Sequence, residues 1–285
     1  MQNNTSSRSS ENKDEVVLSL SVISTSQGAL ARNFLITLDA YAPPVPMEVI
    51  LTVNGPEPSP LEGLELGFPV RIIENPTRHG FAQNHNAAFR SASGTHFCVI
   101  NPDITFSEDV FSPLLAHLRN PDVGITAPRM VDEGGEMQDS FRSLPTLGRI
   151  AARVFGRELP NERMPVDEQG LAFPDWIAGM FLLFRSDTYR ELGGLDERYF
   201  LYFEDVDIGV RCRLAGYELV VDTGVTVGHD ARRDSHRSFS YLRKHISSAR
   251  KFFLSRPYRR ALAAKRADTF NRGGKAGTKH DPAFA

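Results

Sequence analysis

The first hundred residues alternate short, continuously apolar runs with longer segments of helical spacing, and this alternation restricts the fold more than any other feature. Residues 16–24, 47–53, 70–73 and 95–100 read as strands, and 28–41 and 81–91 as helices between them. Strands joined through helices build a mostly parallel sheet with crossovers, covered on both faces. The pattern loosens afterwards: strands are expected over 123–127, 180–184 and 218–221, and helices over 110–119, 186–192 and 206–215. A chain of 285 residues holds one large α/β domain, with or without a terminal appendage. The stretch 132–174, rich in Gly, Arg and Pro, has weak periodicity and reads as a variable loop region.

Three segments carry chemistry. Tyr199-Phe200-Leu201-Tyr202-Phe203 runs directly into Glu204-Asp205-Val206-Asp207, and helical spacing follows through Leu214. Carboxylates beside buried aromatics are costly unless something pairs with them, so this helix start reads as a site for protons, a metal or a basic partner. Acidic capping of the helix is the plainer alternative. Phe97-Cys98-Val99-Ile100 ends in Asn101-Pro102-Asp103, a strand delivering a carboxylate to the sheet's C-terminal edge, where open α/β sheets bind ligands. Val225-Thr226-Val227-Gly228 ends in His229, with Arg232 and Arg233 close behind. Imidazole and carboxylate suit manganese, and the arginine fork suits phosphate oxygens.

In this order the segments resemble inverting family 2 glycosyltransferases of GT-A fold, the rhamnosyltransferase-like group in particular. The matching blocks are Asn75-Pro76-Thr77-Arg78-His79-Gly80-Phe81-Ala82-Gln83-Asn84-His85-Asn86, Val99–Asp103, Trp176-Ile177-Ala178-Gly179-Met180, Gly193-Gly194-Leu195-Asp196-Glu197, Glu204–Asp207 and His229, spread over roughly residues 16–240. The resemblance implies a single GT-A domain over 16–240, its nucleotide half before Asp103 and its acceptor half after. It also implies transfer of a sugar from a nucleotide-diphospho-sugar, dTDP-rhamnose or a UDP-sugar, to a glycan or polyprenyl-linked acceptor. Asp205 would be the general base, Glu204 would orient the acceptor with Trp176 and Gly179, and Asp103 and His229 would hold Mg2+ or Mn2+. Thr25, Asn54, Arg78, Asn86, Asn101, Arg232 and Arg233 would meet the nucleotide-sugar. Asp207 is placed to pair with Arg211 one helical turn later. The chain departs from the family at the second strand, where Val53 stands in place of a base-contacting Asp. That departure keeps a catalytically silent sugar-nucleotide binder as the alternative function.

No glycine fingerprint follows the first strand and there is no P-loop, which argues against a dinucleotide-dependent oxidoreductase or an NTPase. Met1–Lys13 is polar, lacks the apolar core of a secretion signal, and is expected to be a disordered leader over 1–15. Cys98 and Cys212 lack metal-ligand spacing and read as buried thiols of a cytoplasmic protein. The net charge of −2 hides a basic end: between Arg232 and Lys275 stand fourteen Lys and Arg against Asp234 and Asp268. Over 241–266 the residues Ile246, Ala249 and Phe253, preceded by Phe239 and Leu242, recur at helical spacing, with Arg243, Lys244, Arg250 and Lys251 on other faces. Such a helix lies on its own domain or on an anionic bilayer, the latter seating Phe252 and Phe253 in the interface. Residues 267–285 read as a disordered tail, and nucleic acid is not an expected partner because interleaved exposed aromatics are missing.

Overall fold

The computed structural model describes residues 16–146, 148, 164–229 and 239–267, the side chains of 239–242 excepted. The expected leader, most of the expected tail, and Arg232 and Arg233 lie outside the described residues. In chain order the elements are β1 (Leu18–Ser24), α1 (Gly28–Ala40), β2 (Met47–Asn54), β3 (Val70–Asn75), α2 (Phe81–Ser91), β4 (His96–Ile100), β5 (Ile104–Thr105), α3 (Phe111–His117), β6 (Val123–Val131), β7 (Phe141–Arg142), β8 (Leu171–Ala172), β9 (Trp176–Ile177), β10 (Phe181–Arg185), α4 (Ser186–Glu191), α5 (Glu204–Leu214), β11 (Glu218–His229), α6 (Phe239–Leu254) and α7 (Arg256–Arg266).

Among the described residues the main sheet has nine strands, in the order β3-β2-β1-β4-β10-β6-β11-β5, with β8 beside β11. The first four are parallel neighbours joined by crossovers. β10 then enters antiparallel between β4 and β6, so the second half of the sheet is mixed. Alternation along the buried strands separates two cores. Leu18, Leu20, Val22, Cys98 and Ile100 face α1 and α3, whereas Phe97 and Val99 face the side of α2 and α4. α1 presents Ala31, Phe34, Leu35 and Leu38, one apolar stripe, to the first core.

A third core joins the C-terminal helices to the domain. Phe252, Tyr258 and Ala261 pack with Leu144, Tyr199, Phe203, Val206 and Val210. Phe252 is fully buried and Phe253 half-buried against the Phe203 ring, so neither seats in a bilayer, contrary to the sequence expectation. Ser255 ends α6 and caps α7, its Oγ accepting from the Tyr258 N–H at 3.2 Å. Lys265 Nζ reaches back to Asp175 Oδ2 at 2.8 Å, pinning α7 to the segment before β9.

Candidate active site

Strand register builds one half of the site. β4 ends at Ile100, and Asn101-Pro102-Asp103 leads directly into β5. β5 pairs antiparallel with the end of β11, His229 opposite Ile104 and Gly228 opposite Thr105. A Cβ at Gly228 would collide with Thr105 Oγ1, so glycine permits this close pairing. The register sets His229 beside Asp103, with Nε2 3.5 Å from Oδ2.

Gln138, from the stretch expected to be variable loop, orients the ring. Its Nε2 donates to the His229 carbonyl oxygen at 2.9 Å, and a carbonyl can only accept. Its Oε1 therefore accepts from His229 Nδ1–H, at 2.8 Å. In the neutral ring this leaves the Nε2 lone pair turned toward Asp103, whose Oδ1 is buried without a hydrogen-bond partner. Two facing acceptors invite a cation between them. No group of three or more His, Cys, Asp or Glu among the described residues could hold a metal. A metal here would thus take two ligands from the described residues, Asp103 and His229, and share its remaining positions with oxygen donors such as water and phosphate, as magnesium and manganese do.

The other half is the start of α5. Tyr202 and Phe203 both adopt left-handed backbone, φ 70° and 71°, immediately before Glu204. Such strain, of order 1–3 kcal/mol per residue, persists where packing enforces it. Here the Phe203 ring sits 5.4 Å from Phe252, and the His245 ring lies 5.2 and 5.3 Å from Tyr202 and Phe203. Asp205 is held from two sides: Oδ2 accepts from Gly179 N–H at 3.1 Å and Oδ1 from Val206 N–H at 2.8 Å. A Cβ at Gly179 would sit 3.4 Å from Asp205 Cβ and 3.3 Å from the Phe81 ring. The next residue, Met180, accepts from the Asn101 N–H at 2.9 Å. Asp205 and Asp103 are therefore joined along one sheet edge through Gly179, Met180 and Asn101.

The electrostatics of α5 follow from burial. Glu204 is 4% exposed, its Oε2 has no partner, and burial followed by the charge of Asp205 pushes its carboxyl up to about 8. Burial raises Asp205 as well, against four backbone hydrogen bonds that lower it. A raised carboxylate is a stronger base near neutral pH. Asp207 pairs as expected, Arg211 Nε donating to its Oδ2 at 2.6 Å. Arg211 also donates to the carbonyls of Leu192 and Gly194, which fixes the glycine turn before the site.

The nucleotide-side residues divide. Thr25, Asn54 and Arg78 converge at the ends of β1 and β2: Asn54 Nδ2 donates to Thr25 Oγ1 at 3.2 Å, and Arg78 Nη2 to Ser26 Oγ at 2.8 Å. Asn54 also bonds His79 N–H, the His79 carbonyl and Asn75, so its amide anchors the 76–80 loop. Asn86 is turned away from a nucleotide. Its amide donates to the Leu195 carbonyl and Glu197 and accepts from Leu195 N–H and Tyr189 OH, which leaves no capacity for a ligand. The Trp176 indole donates to the Ser143 carbonyl at 3.1 Å and packs on the third core, leaving ring surface for any acceptor contact. Sequence reasoning missed Gln138, which has no local signature, and the role of Phe81, whose ring stands against Gly179 beside the site.

A family model described as Glycosyl transferase family 2 matches residues 32–190. An N-acetylglucosaminyl-diphospho-decaprenol L-rhamnosyltransferase of Mycobacterium tuberculosis is 28% identical over 264 residues, covering 84% of this chain and 85% of that protein. Rhamnosyltransferase WbbL of Escherichia coli is 29% identical over 196 residues, 62% of this chain and 73% of the relative. Among solved structures, GalNAc-T7 with UDP, GalNAc and Mn2+ superposes with a TM-score of 0.59 at 14% identity, over 95% of this chain. This chain spans about half, 53%, of that longer one. The mannosyltransferase PcManGT of Pyrobaculum calidifontis, in complex with GDP-Man and Mn2+, superposes with a TM-score of 0.53 at 15% identity, over 90% of this chain and 84% of its own. At such identities the structural likeness establishes the fold, which is GT-A.

Proposed function

The chain belongs to glycosyl transferase family 2, and from that premise we propose a metal-assisted, inverting transfer of rhamnose from dTDP-rhamnose, or of a hexose from a UDP-sugar. The acceptor is a hydroxyl of a glycan or polyprenyl-linked sugar in bacterial surface-polysaccharide synthesis, met at the cytoplasmic face of the membrane. The similarity to rhamnosyltransferases, one named for a decaprenol-linked N-acetylglucosamine, supports the rhamnosyl and lipid-linked choice. The observation that carries the mechanism is the continuous edge joining Asp205, Gly179, Asn101, Asp103 and His229.

The acceptor oxygen attacks the anomeric carbon as the bond from that carbon to the diphosphate oxygen breaks. The electron pair leaves with the nucleoside diphosphate, and the hydroxyl proton passes to Asp205. Gly179 and Val206 N–H groups aim that carboxylate, and Glu204 stands beside it, its Oε2 buried and unpaired rather than open to the acceptor. Asp103 and His229 would hold the divalent cation, which when bound stabilises negative charge gathering on the diphosphate. Thr25 and Arg78 flank the nucleotide, with Asn54 setting their loop.

The test is a panel of dTDP- and UDP-sugars with a polyprenyl-diphosphate-linked N-acetylglucosamine acceptor and Mn2+, scored for the anomeric configuration of the product. Transfer with inversion supports the reading. Donor binding without turnover for every pair would instead favour a silent sugar-nucleotide binder.

A further inference from the structure

The C-terminal helices are bolted to the catalytic loop on one face and leave an unusual surface on the other. Inward, Ser248 Oγ donates to the Leu201 carbonyl at 2.9 Å, Lys251 Nζ to the Arg198 carbonyl at 2.6 Å, and Phe252 is buried. Outward, Arg243, Ile246, Arg250 and Leu254 follow one another at spacings of three and four, a single stripe of α6. Ile246 is 58% exposed and Leu254 66%, among the most exposed large apolar side chains described. Phe200, 44% exposed, borders the same stripe, with the Lys244 ammonium 4.7 Å from its ring centre. Phe200, Arg243, Lys244, Ile246, Arg250 and Lys251 line an open depression of about 710 Å³, with Leu254 one turn beyond Arg250 on the same stripe. From Phe239 to Arg266 the sequence contains no acidic residue.

We propose that this face, Phe200, Ile246 and Leu254 ringed by Arg243, Lys244 and Arg250, docks the enzyme on an anionic lipid bilayer. The proposal rests on the lipid-linked acceptor reading above. Apolar side chains enter the headgroup boundary while the cations meet lipid phosphates, the pairing by which interfacial helices bind. Charge complementarity selects the occupant: the stripe is too basic for self-association with a like face, and no helix among the described residues is long and apolar enough to cross a membrane. The face is also placed for the reaction. The Phe200 carbonyl accepts from Phe81 N–H at 2.9 Å, and the Phe81 ring stands against Gly179, whose N–H holds Asp205. A bilayer touching Phe200 is thus one residue layer from the catalytic loop, and an acceptor sugar raised on its diphosphate enters from that side.

The experiment is co-sedimentation of the full chain with vesicles of phosphatidylcholine alone or with roughly one third phosphatidylglycerol. Three proteins are compared: wild type, Arg243→Gln with Arg250→Gln, and Ile246→Ser with Leu254→Ser. Wild type should bind the anionic vesicles and not the neutral ones. Loss of two cations should lower partitioning roughly 30-fold, and the apolar pair about ten-fold or more. Melting temperatures and transfer to a short-chain, water-soluble acceptor should stay at wild-type values in both variants. Negligible or equal binding of wild type to the two vesicles overturns the proposal, as does unchanged binding of both variants. Capture by a protein partner in the absence of vesicle binding overturns it too. Absence of transfer to the soluble acceptor by wild type would strike the transferase reading and leave the vesicle result standing by itself.

Discussion

Gln138 and His229 hold each other in a reciprocal pair, amide to backbone carbonyl at 2.9 Å and ring Nδ1 to amide oxygen at 2.8 Å. The pair connects the end of β11 to the segment before β7, and it decides which imidazole nitrogen faces Asp103.

Removing that orientation should loosen the metal without unfolding the protein. Gln138→Leu is expected to weaken Mn2+ binding about 10- to 100-fold, the usual cost of losing a ligand's supporting hydrogen bond. Calorimetric titration of Mn2+ in the presence of the nucleoside diphosphate measures it directly, independent of turnover. Unchanged affinity would mean that His229 needs no such support or binds no metal.

Phe252 makes the C-terminal helices part of the domain. Phe252→Ala should destabilise by about 3–5 kcal/mol, as large aromatic truncations in a core do, because the ring is fully buried against Phe203, Phe253 and Tyr258. Denaturant titration gives the value. A loss below about 1 kcal/mol would show the extension to be detachable.

The sheet was legible because its strands are continuous buried runs: β1, β2 and β4 fall within a residue or two of their expected bounds. β11 was not, since Asp222-Thr223-Gly224 interrupts its apolar run. The structure carries the strand through by a register shift between Asp222 and Thr226, joining two segments that read as separate. The two-residue strands β5, β7, β8 and β9 have no period to detect, although β5 is what places His229 against Asp103. The carboxylates of α5 stood out as charge beside aromatics. Asn86 looked equally available, and only its tertiary partners, 103 to 111 residues away, reveal that it braces a turn. In α6 Ile246, Ala249 and Phe253 read in the sequence as one apolar stripe, and the structure divides it, Ala249 and Phe253 packing on the third core and Ile246 facing out. Packing buries Phe252 and leaves Ile246 and Leu254 outside, a choice that depends on what the helix meets.

Glu204 should make stability fall with pH. Its folded-state carboxyl titrates near 8, against an ordinary value of 4.5, so between these limits the folded chain binds more protons than the unfolded one. Stability from this group is present below about 4.5 and is lost as pH rises through about 8. Glu204→Gln removes the titration, and its melting temperature should drop less than wild type's between neutral and mildly alkaline pH. Parallel melting curves for the two proteins across that range would contradict the assignment.

The central claim is that Asp205, aimed by the Gly179 and Val206 N–H groups, takes the acceptor proton. Asp205→Asn keeps the side chain's size and removes its basicity, so kcat should fall about 10²- to 10⁴-fold while donor affinity stays near wild type. The decisive measurement is single-turnover transfer by this variant with donor and Mn2+ saturating, alongside donor binding by calorimetry. A collapsed transfer rate with unchanged donor binding is the predicted result; near-normal turnover would contradict the account.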